Sequence, residues 1–326
     1  MTGLKIPQIL FTGNGLNLAY GGVSWKNLLR DISTRHDLDH IELKSPMPLQ
    51  AVLVTENHVK DALLAYKGNL YGEVSTSEQA GILQRFLSME FDHILTTNFS
   101  YELEIAAQNS KTISNYHLKK MMRHTSSTKQ AEAKYLRHTY NECEFNGHKN
   151  KIWHVHGEAR KPGSIIMGHY YYANLLCRVK KYLDEKGNTY LTTQLEGKQP
   201  NINSWMDAFI LGDVYMLGFG YDLSEFDLWW MLDRKSREKA QTGKIYFFRP
   251  SLPGFDEKLE LMKVFKIVEV IDCGVELPHE PSSLASEQEW REYRKKLNSA
   301  YRRFYPLAME EICKLKKQKE AELIPI

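Results

Sequence analysis

Four short clusters of small and polar residues each close an apolar run that reads as a β-strand: Gly13-Asn14-Gly15, Thr96-Thr97-Asn98, His154-Val155-His156-Gly157 and Gly218-Phe219-Gly220. Residues of these types at strand ends can either contact a ligand or serve as turns and caps. A Gly-x-Gly turn between strand and helix brings backbone N–H groups close to a phosphate, with the helix dipole behind them. The same residues also make a plain tight turn, and the third glycine of the dinucleotide fingerprint is absent. Asn98 carries a donor and an acceptor suited to a ribose hydroxyl or a water, or equally to an Asx cap at a strand–helix junction. His156 precedes Gly157, which allows close backbone approach to a ligand, and is either a general base at neutral pH or a structural histidine. His154 shares a strand face with His156 if the extension is regular, and reads as the structural one of the two. Gly218-x-Gly220 is a second approach loop or another turn. The His154-x-His156 pair offers two metal ligands with no third at a recognisable spacing, so no metal is expected.

These clusters need elements to position them. Residues 6–12, 92–97, 151–156, 213–217, 244–248 and 265–271 read as short buried strands. Between the first two, Ser24 caps a helix whose apolar residues Trp25, Leu28, Leu29 and Ile32 share one face. Residues 49–65 and 78–89 pass the same helical test. Apolar strands alternating with helices give an α/β fold, a Rossmann-like parallel sheet with helices on both faces. In such sheets ligands bind outside the carboxyl ends of the strands, where strand order reverses, so the four clusters can meet at one edge. Two regions depart from the pattern. Residues 111–151 hold nine Lys/Arg, three Glu and four His, and read as a small basic helical insertion or lid, or as a solvated face. Residues 284–326 form a helical extension to the domain of residues 1–283. In it Trp290, Tyr293, Leu297, Tyr301 and Phe304 share a stripe, Pro306 interrupts, and a second helix carries Met309, Ile312 and Leu315.

Composition excludes several classes. With 326 residues, 42% hydrophobic and 25% charged, the chain has the composition of a globular protein. A net charge of +3 is too small to make nucleic acid the main partner. No run approaches the roughly 18 apolar residues of a membrane helix, and the first residues lack the basic and apolar regions of a secretory signal. The four cysteines, Cys143, Cys177, Cys273 and Cys313, are too far apart for zinc pairs or a dense disulfide framework. A cytoplasmic protein with reduced thiols is expected.

In order, Gly13-Asn14-Gly15-Leu16-Asn17, Ser24-Trp25 with Leu28-Leu29, Thr96-Thr97-Asn98-Phe99-Ser100, His154-Val155-His156-Gly157 and Gly218-Phe219-Gly220-Tyr221-Asp222 resemble the successive motifs of the sirtuin-like superfamily. The resemblance spans about residues 6–272 and is greatest to the bacterial sirtuin-like NAD hydrolases of antiphage defence. It implies NAD as substrate, cleaved to nicotinamide and ADP-ribose. Gly13 and Gly15 would lie against the phosphates, with Asn14 and Asn17 lining the loop. Asn98 would contact the nicotinamide-side ribose and position the attacking water, Thr97 would be a further NAD-binding residue, and His156 would be the catalytic histidine. Gly218, Gly220 and Asp222 would bound the adenosine half. An unregulated NAD hydrolase is toxic, so a gate is implied: a partner sensor protein, a small-molecule signal or assembly into a homo-oligomer, acting through residues 111–151 or the C-terminal helix. The chain departs from the family at several points. No cysteine pair can form the zinc module of the deacylases, so neither zinc nor deacylation is expected. Asn14 and Asn17 stand where Ala and Ser are common, and Ser100 stands where the family has an aspartate. A non-catalytic sensor of a nucleotide or ADP-ribose is the alternative.

Overall fold

The computed structural model describes residues 4–35, 48–51, 63, 69–125, 135–251, 256–282 and 285–322. The first apolar run forms β1 (Gln8–Thr12) and passes through Gly13 and Asn14 straight into a short helix, α1 (Gly15–Ala19). The Ser24 hydroxyl accepts the Asn27 N–H at 3.2 Å and caps α2 (Trp25–Arg35). Of the helix expected over residues 49–65, Leu49 to Ala51 and Leu63 are helical and the rest lies outside the described residues. Then follow α3 (Ser77–Ser88), β2 (His93–Thr96), α4 (Glu102–Ala107), α5 (Asn115–Met121), β3 (Met122–His124), β4 (Thr139–Phe145) and β5 (His148–His154). After them come α6 (His169–Lys186), α7 (Thr189–Leu195), α8 (Trp205–Leu211), β6 (Asp213–Leu217), α9 (Phe226–Ser236), β7 (Ile245–Ser251), α10 (Glu257–Val264), β8 (Val268–Glu276) and α11 (Glu287–Glu322).

The eight strands form one sheet in the order β3-β4-β5-β2-β1-β6-β7-β8. From β5 to β8 neighbouring strands run parallel, and β3 and β4 add antiparallel at one edge. The chain leaves β1 toward β2 and β5, then returns to the other side of β1 with β6, so strand order reverses between β1 and β6. Both faces are covered, which is why the central strands are apolar throughout. On one face Leu10, Ile94 and Tyr215 pack against α3, α4 and α11; on the other Ile9, Phe11, Leu95 and Met216 pack against α6, α8 and α9. Among the described residues no helix is long and apolar enough to cross a membrane.

Two expectations need correction. Residues 111–151 are helical only over α5; the remainder described forms β3, β4 and most of β5. The reason is local: Asn146 and Gly147 take φ of 50° and 78° between Phe145 and His148, the left-handed pair of a two-residue hairpin turn, and burial alternates along β4. Charge composition hid that turn. Nor does Pro306 end a helix: α11 runs unbroken from Glu287 to Glu322 with the proline inside. Ala300, Phe304, Tyr305, Ala308, Met309 and Ile312 are buried on both sides of it, and this packing outweighs the ~3 kcal/mol that an interior proline costs. Replacing Pro306 by Ala restores a helix donor and relieves the ring's clash, so we expect urea unfolding to show a gain of about 1–3 kcal/mol. A loss of stability would mean that the packing of α11 requires a proline-bent axis.

Candidate functional site

The glycine turn is held by backbone contact. Gly15 N–H donates to Gly218 O at 2.8 Å. A Cβ on Gly15 would lie 2.7 Å from that oxygen and 2.8 Å from the Tyr305 hydroxyl oxygen, and one on Gly13 would lie 2.9 Å from the Phe219 ring. Gly218 itself takes φ of 65°. These glycines are therefore required because the loops after β1 and β6 touch, and the Gly15 amide is engaged within the protein. Gly157 has the same kind of reason. At φ of 95° it brings the chain against Ser164, whose carbonyl oxygen would lie 2.2 Å from a Cβ, so the close approach it permits is to the protein's own backbone.

Beside the turn, at the carboxyl edge of β1 and β2, lies a cavity of about 310 Å³. Asn14, Asn17, Thr97 and Asn98 line it, with Trp25 and Phe99 as its apolar wall and Glu73 and Glu102 as its acids. The Trp25 and Phe99 rings meet edge to face at 5.8 Å. Asn98 donates from Nδ2 to Gly13 O at 3.2 Å, Asn17 donates to Asn14 Oδ1 at 3.1 Å, and Asn14 donates to Val23 O at 2.8 Å. The amides thus form a fixed polar rim. Glu102 is buried, its Oε2 accepting the Ser100 hydroxyl at 2.8 Å. Burial pushes its pKa up, with the Ser100 hydrogen bond working against the shift.

The two histidines do not share a face. Strand geometry ends at His154, and the turn before Gly157 swings His156 to the other side of the sheet. His154 lies on the α4 side, edge-on to Tyr101 at 5.2 Å. Its Nδ1 faces Asn98 O at 2.6 Å and its Nε2 faces Glu104 Oε1 at 2.9 Å. With an acceptor at each nitrogen the ring carries both protons. Burial opposes that charge, but the Glu104 carboxylate and its hydrogen bond prevail and lift the pKa to about 9. His154 thus ties the end of β5 to α4 and to the Asn98 carbonyl. His156 is buried against α6 and α9, its Nε2 2.9 Å from Asp227 Oδ2 and its Nδ1 3.7 Å from Glu225 Oε2, with Tyr172 edge-on at 5.4 Å. Burial again opposes its charge, and Asp227 and Glu225 override it and raise the pKa. Burial also lifts the Glu225 carboxyl to about 7, with His156 pulling the other way. The ring places its two nitrogens on two carboxylates, as an imidazolium does, and one ligand atom from each of His156, Glu225 and Asp227 lies within 4.8 Å of the others, a set that could also hold a metal ion.

The structure thus gathers Asn14, Asn17, Thr97 and Asn98 around one cavity, with Gly13, Gly15 and Gly218 forming the contact beside it. His156 is not in the lining. Asp222 accepts from the N–H and hydroxyl of Ser224 at 2.9 and 2.7 Å, an Asx turn leading into α9, and Gly220 accepts from Lys258 at 3.1 Å; neither lines the cavity. Sequence reasoning missed Glu102, Glu225 and Asp227. Asp227 left a signal, an acid on the helix stripe that also carries Met231, but its partner His156 is 71 residues away. Compared with known proteins, the chain matches no family model and no curated sequence.

The histidine and glutamate shifts set a pH dependence. Glu225 binds its proton more tightly folded (about 7) than at its ordinary 4.5, and His154 does so at about 9 against 6.5. More protons bound in the folded state means that stability falls as pH rises. The Glu225 contribution is lost from 4.5 toward 7 and that of His154 from 6.5 toward 9. Two buried groups work the other way: burial holds His93 down to about 4 and Lys235 down to about 7, so their contributions rise with pH, up to 6.5 and above 7 respectively. The test is therefore a comparison: between about pH 6.5 and 9 the thermal midpoint of Glu104→Gln should fall less, or rise more, than that of the wild type. Parallel profiles for the two proteins would contradict the His154 assignment.

Proposed function

We propose that the protein is an NAD hydrolase, cleaving the bond between nicotinamide and ribose to release nicotinamide, ADP-ribose and a proton with consumption of one water. The observation that carries this reading is the cavity at the carboxyl edge of β1 and β2, beside the strand-order reversal between β1 and β6, into which the first and second polar clusters send Asn14, Asn17, Thr97 and Asn98. The bond breaks through an oxocarbenium-like state, which a polar, water-excluding site with groups at the ribose stabilises. Asn98, held by its bond to Gly13 O, holds the attacking water or a ribose hydroxyl. The cavity is small for a whole dinucleotide. It suits the nicotinamide–ribose half, with the diphosphate leaving past Gly13 and Gly15 and the adenosine half toward Gly218, Gly220 and Asp222.

His156 serves as the catalytic histidine once it is freed from Asp227. Its burial and ion pairing support a gated enzyme, an effector that depletes NAD in antiphage defence only when a partner, a small signal or self-assembly opens the site. The same observation favours the second reading, a nucleotide sensor that never turns its ligand over. Nicotinamide release from NAD by the purified protein, alone and with the products of neighbouring genes, separates them. We expect turnover that Asn98→Ala lowers by about 10²–10³-fold and His156→Ala by about 10²–10⁴-fold. Binding with intact NAD recovered under every condition would establish the sensor.

A further inference from the structure

Buried carboxylates ordinarily face a cation, because an unpaired buried charge costs several kcal/mol. Six are buried among the described residues. Five have a cationic partner: Glu104 and Asp227 a histidine, Glu158 an arginine, Asp207 and Asp213 a lysine. Glu102 is the sixth, and its contacts are neutral: the Ser100 hydroxyl, the Asn17 amide and its own backbone. It is also the one of the six that lines the cavity, and no cationic side chain is found among the described lining residues. Its position is fixed from two sides. Gly72, at φ of 81°, presses on Oε1, which would lie 2.3 Å from a Cβ there. The Tyr71 carbonyl accepts the Tyr101 N–H at 2.9 Å, tying that loop to the start of α4.

We propose that the missing cation belongs to the ligand: the cavity is the subsite for the positively charged pyridinium–ribose end, and Glu102 makes it select that charge. Trp25 and Phe99 supply the aromatic wall on which a flat cation rests, and the amide rim meets the ribose hydroxyls. A diphosphate is refused here, since it would bring negative charge to a buried carboxylate with no lysine or arginine among the described lining residues to balance it. The same carboxylate faces the positive charge that develops on the ribose as nicotinamide departs. The assignment rests on the nucleotide reading above and adds a charge preference to it.

The test compares two ligands of nearly equal shape. One is the carbocyclic analogue of NAD, whose ring oxygen is replaced by methylene, so that it keeps the pyridinium charge and resists cleavage; the other is NADH, whose dihydropyridine is neutral. Calorimetry with the full chain should show the charged analogue binding at least tenfold more tightly, about 1.4 kcal/mol. In Glu102→Gln, which keeps shape and removes charge, the ratio should fall to near one with NADH affinity retained. Retained NADH affinity shows that the variant is folded, and Glu102→Asp should keep part of the preference. Equal binding of the two ligands by the wild type, or a preference that survives Glu102→Gln, overturns the role of Glu102 and leaves the nucleotide reading standing. Binding of neither ligand overturns both.

Discussion

The Gly15 N–H donating to the Gly218 carbonyl at 2.8 Å is the contact on which the rest of the site depends. It joins the loops of the two strands on either side of the strand-order reversal, and it leaves no room for a side chain at position 13 or 15. Three further contacts hang from it. The Tyr305 hydroxyl closes from the C-terminal helix, Asn98 reaches across from β2 to the Gly13 carbonyl, and α1 begins at once, so that Asn14 and Asn17 stand one helical turn apart on the cavity wall. Any residue larger than glycine would part the loops and loosen the amide rim.

Charge placement builds on that frame. Glu104 is fixed in the core by His154 and by the Asn141 amide, 2.9 and 3.0 Å away. Residues two apart on a helix face different directions, so anchoring Glu104 inward turns Glu102 toward the cavity. One acid of α4 is balanced by a histidine of the protein; the other is left for a ligand. His156 and Asp227 form a comparable pair on the opposite side of the sheet, closed against solvent. A reaction that needs both Asn98 and His156 therefore needs a rearrangement between them. In the proposed hydrolase, that rearrangement is what a gate would have to produce, since His156 is buried.

The central strands β1, β2, β6 and β7 were legible because they are buried on both faces and their sequences are largely apolar, and Ser24 and the apolar face of α2 marked that helix. Asn98, singled out because a polar residue closes an apolar strand, lies in the cavity lining. The rest failed for identifiable reasons. Residues 111–151 were read by charge rather than by the Asn146-Gly147 turn that makes them a hairpin. Gly157 was read as room for a ligand when the chain itself fills the space. Nothing in the sequence singles out Glu102, one acid in the first turn of α4. Its significance is that no cation stands among the described residues lining the cavity, a tertiary fact that no spacing encodes.

The most direct measurement is a crystal structure of the protein bound to the carbocyclic NAD analogue. The expected result places the nicotinamide ring between the Trp25 and Phe99 wall and Glu102, the ribose at Asn98, and the diphosphate outside the cavity near Gly13. A diphosphate seated inside the cavity, or a ring bound away from it, would contradict the account.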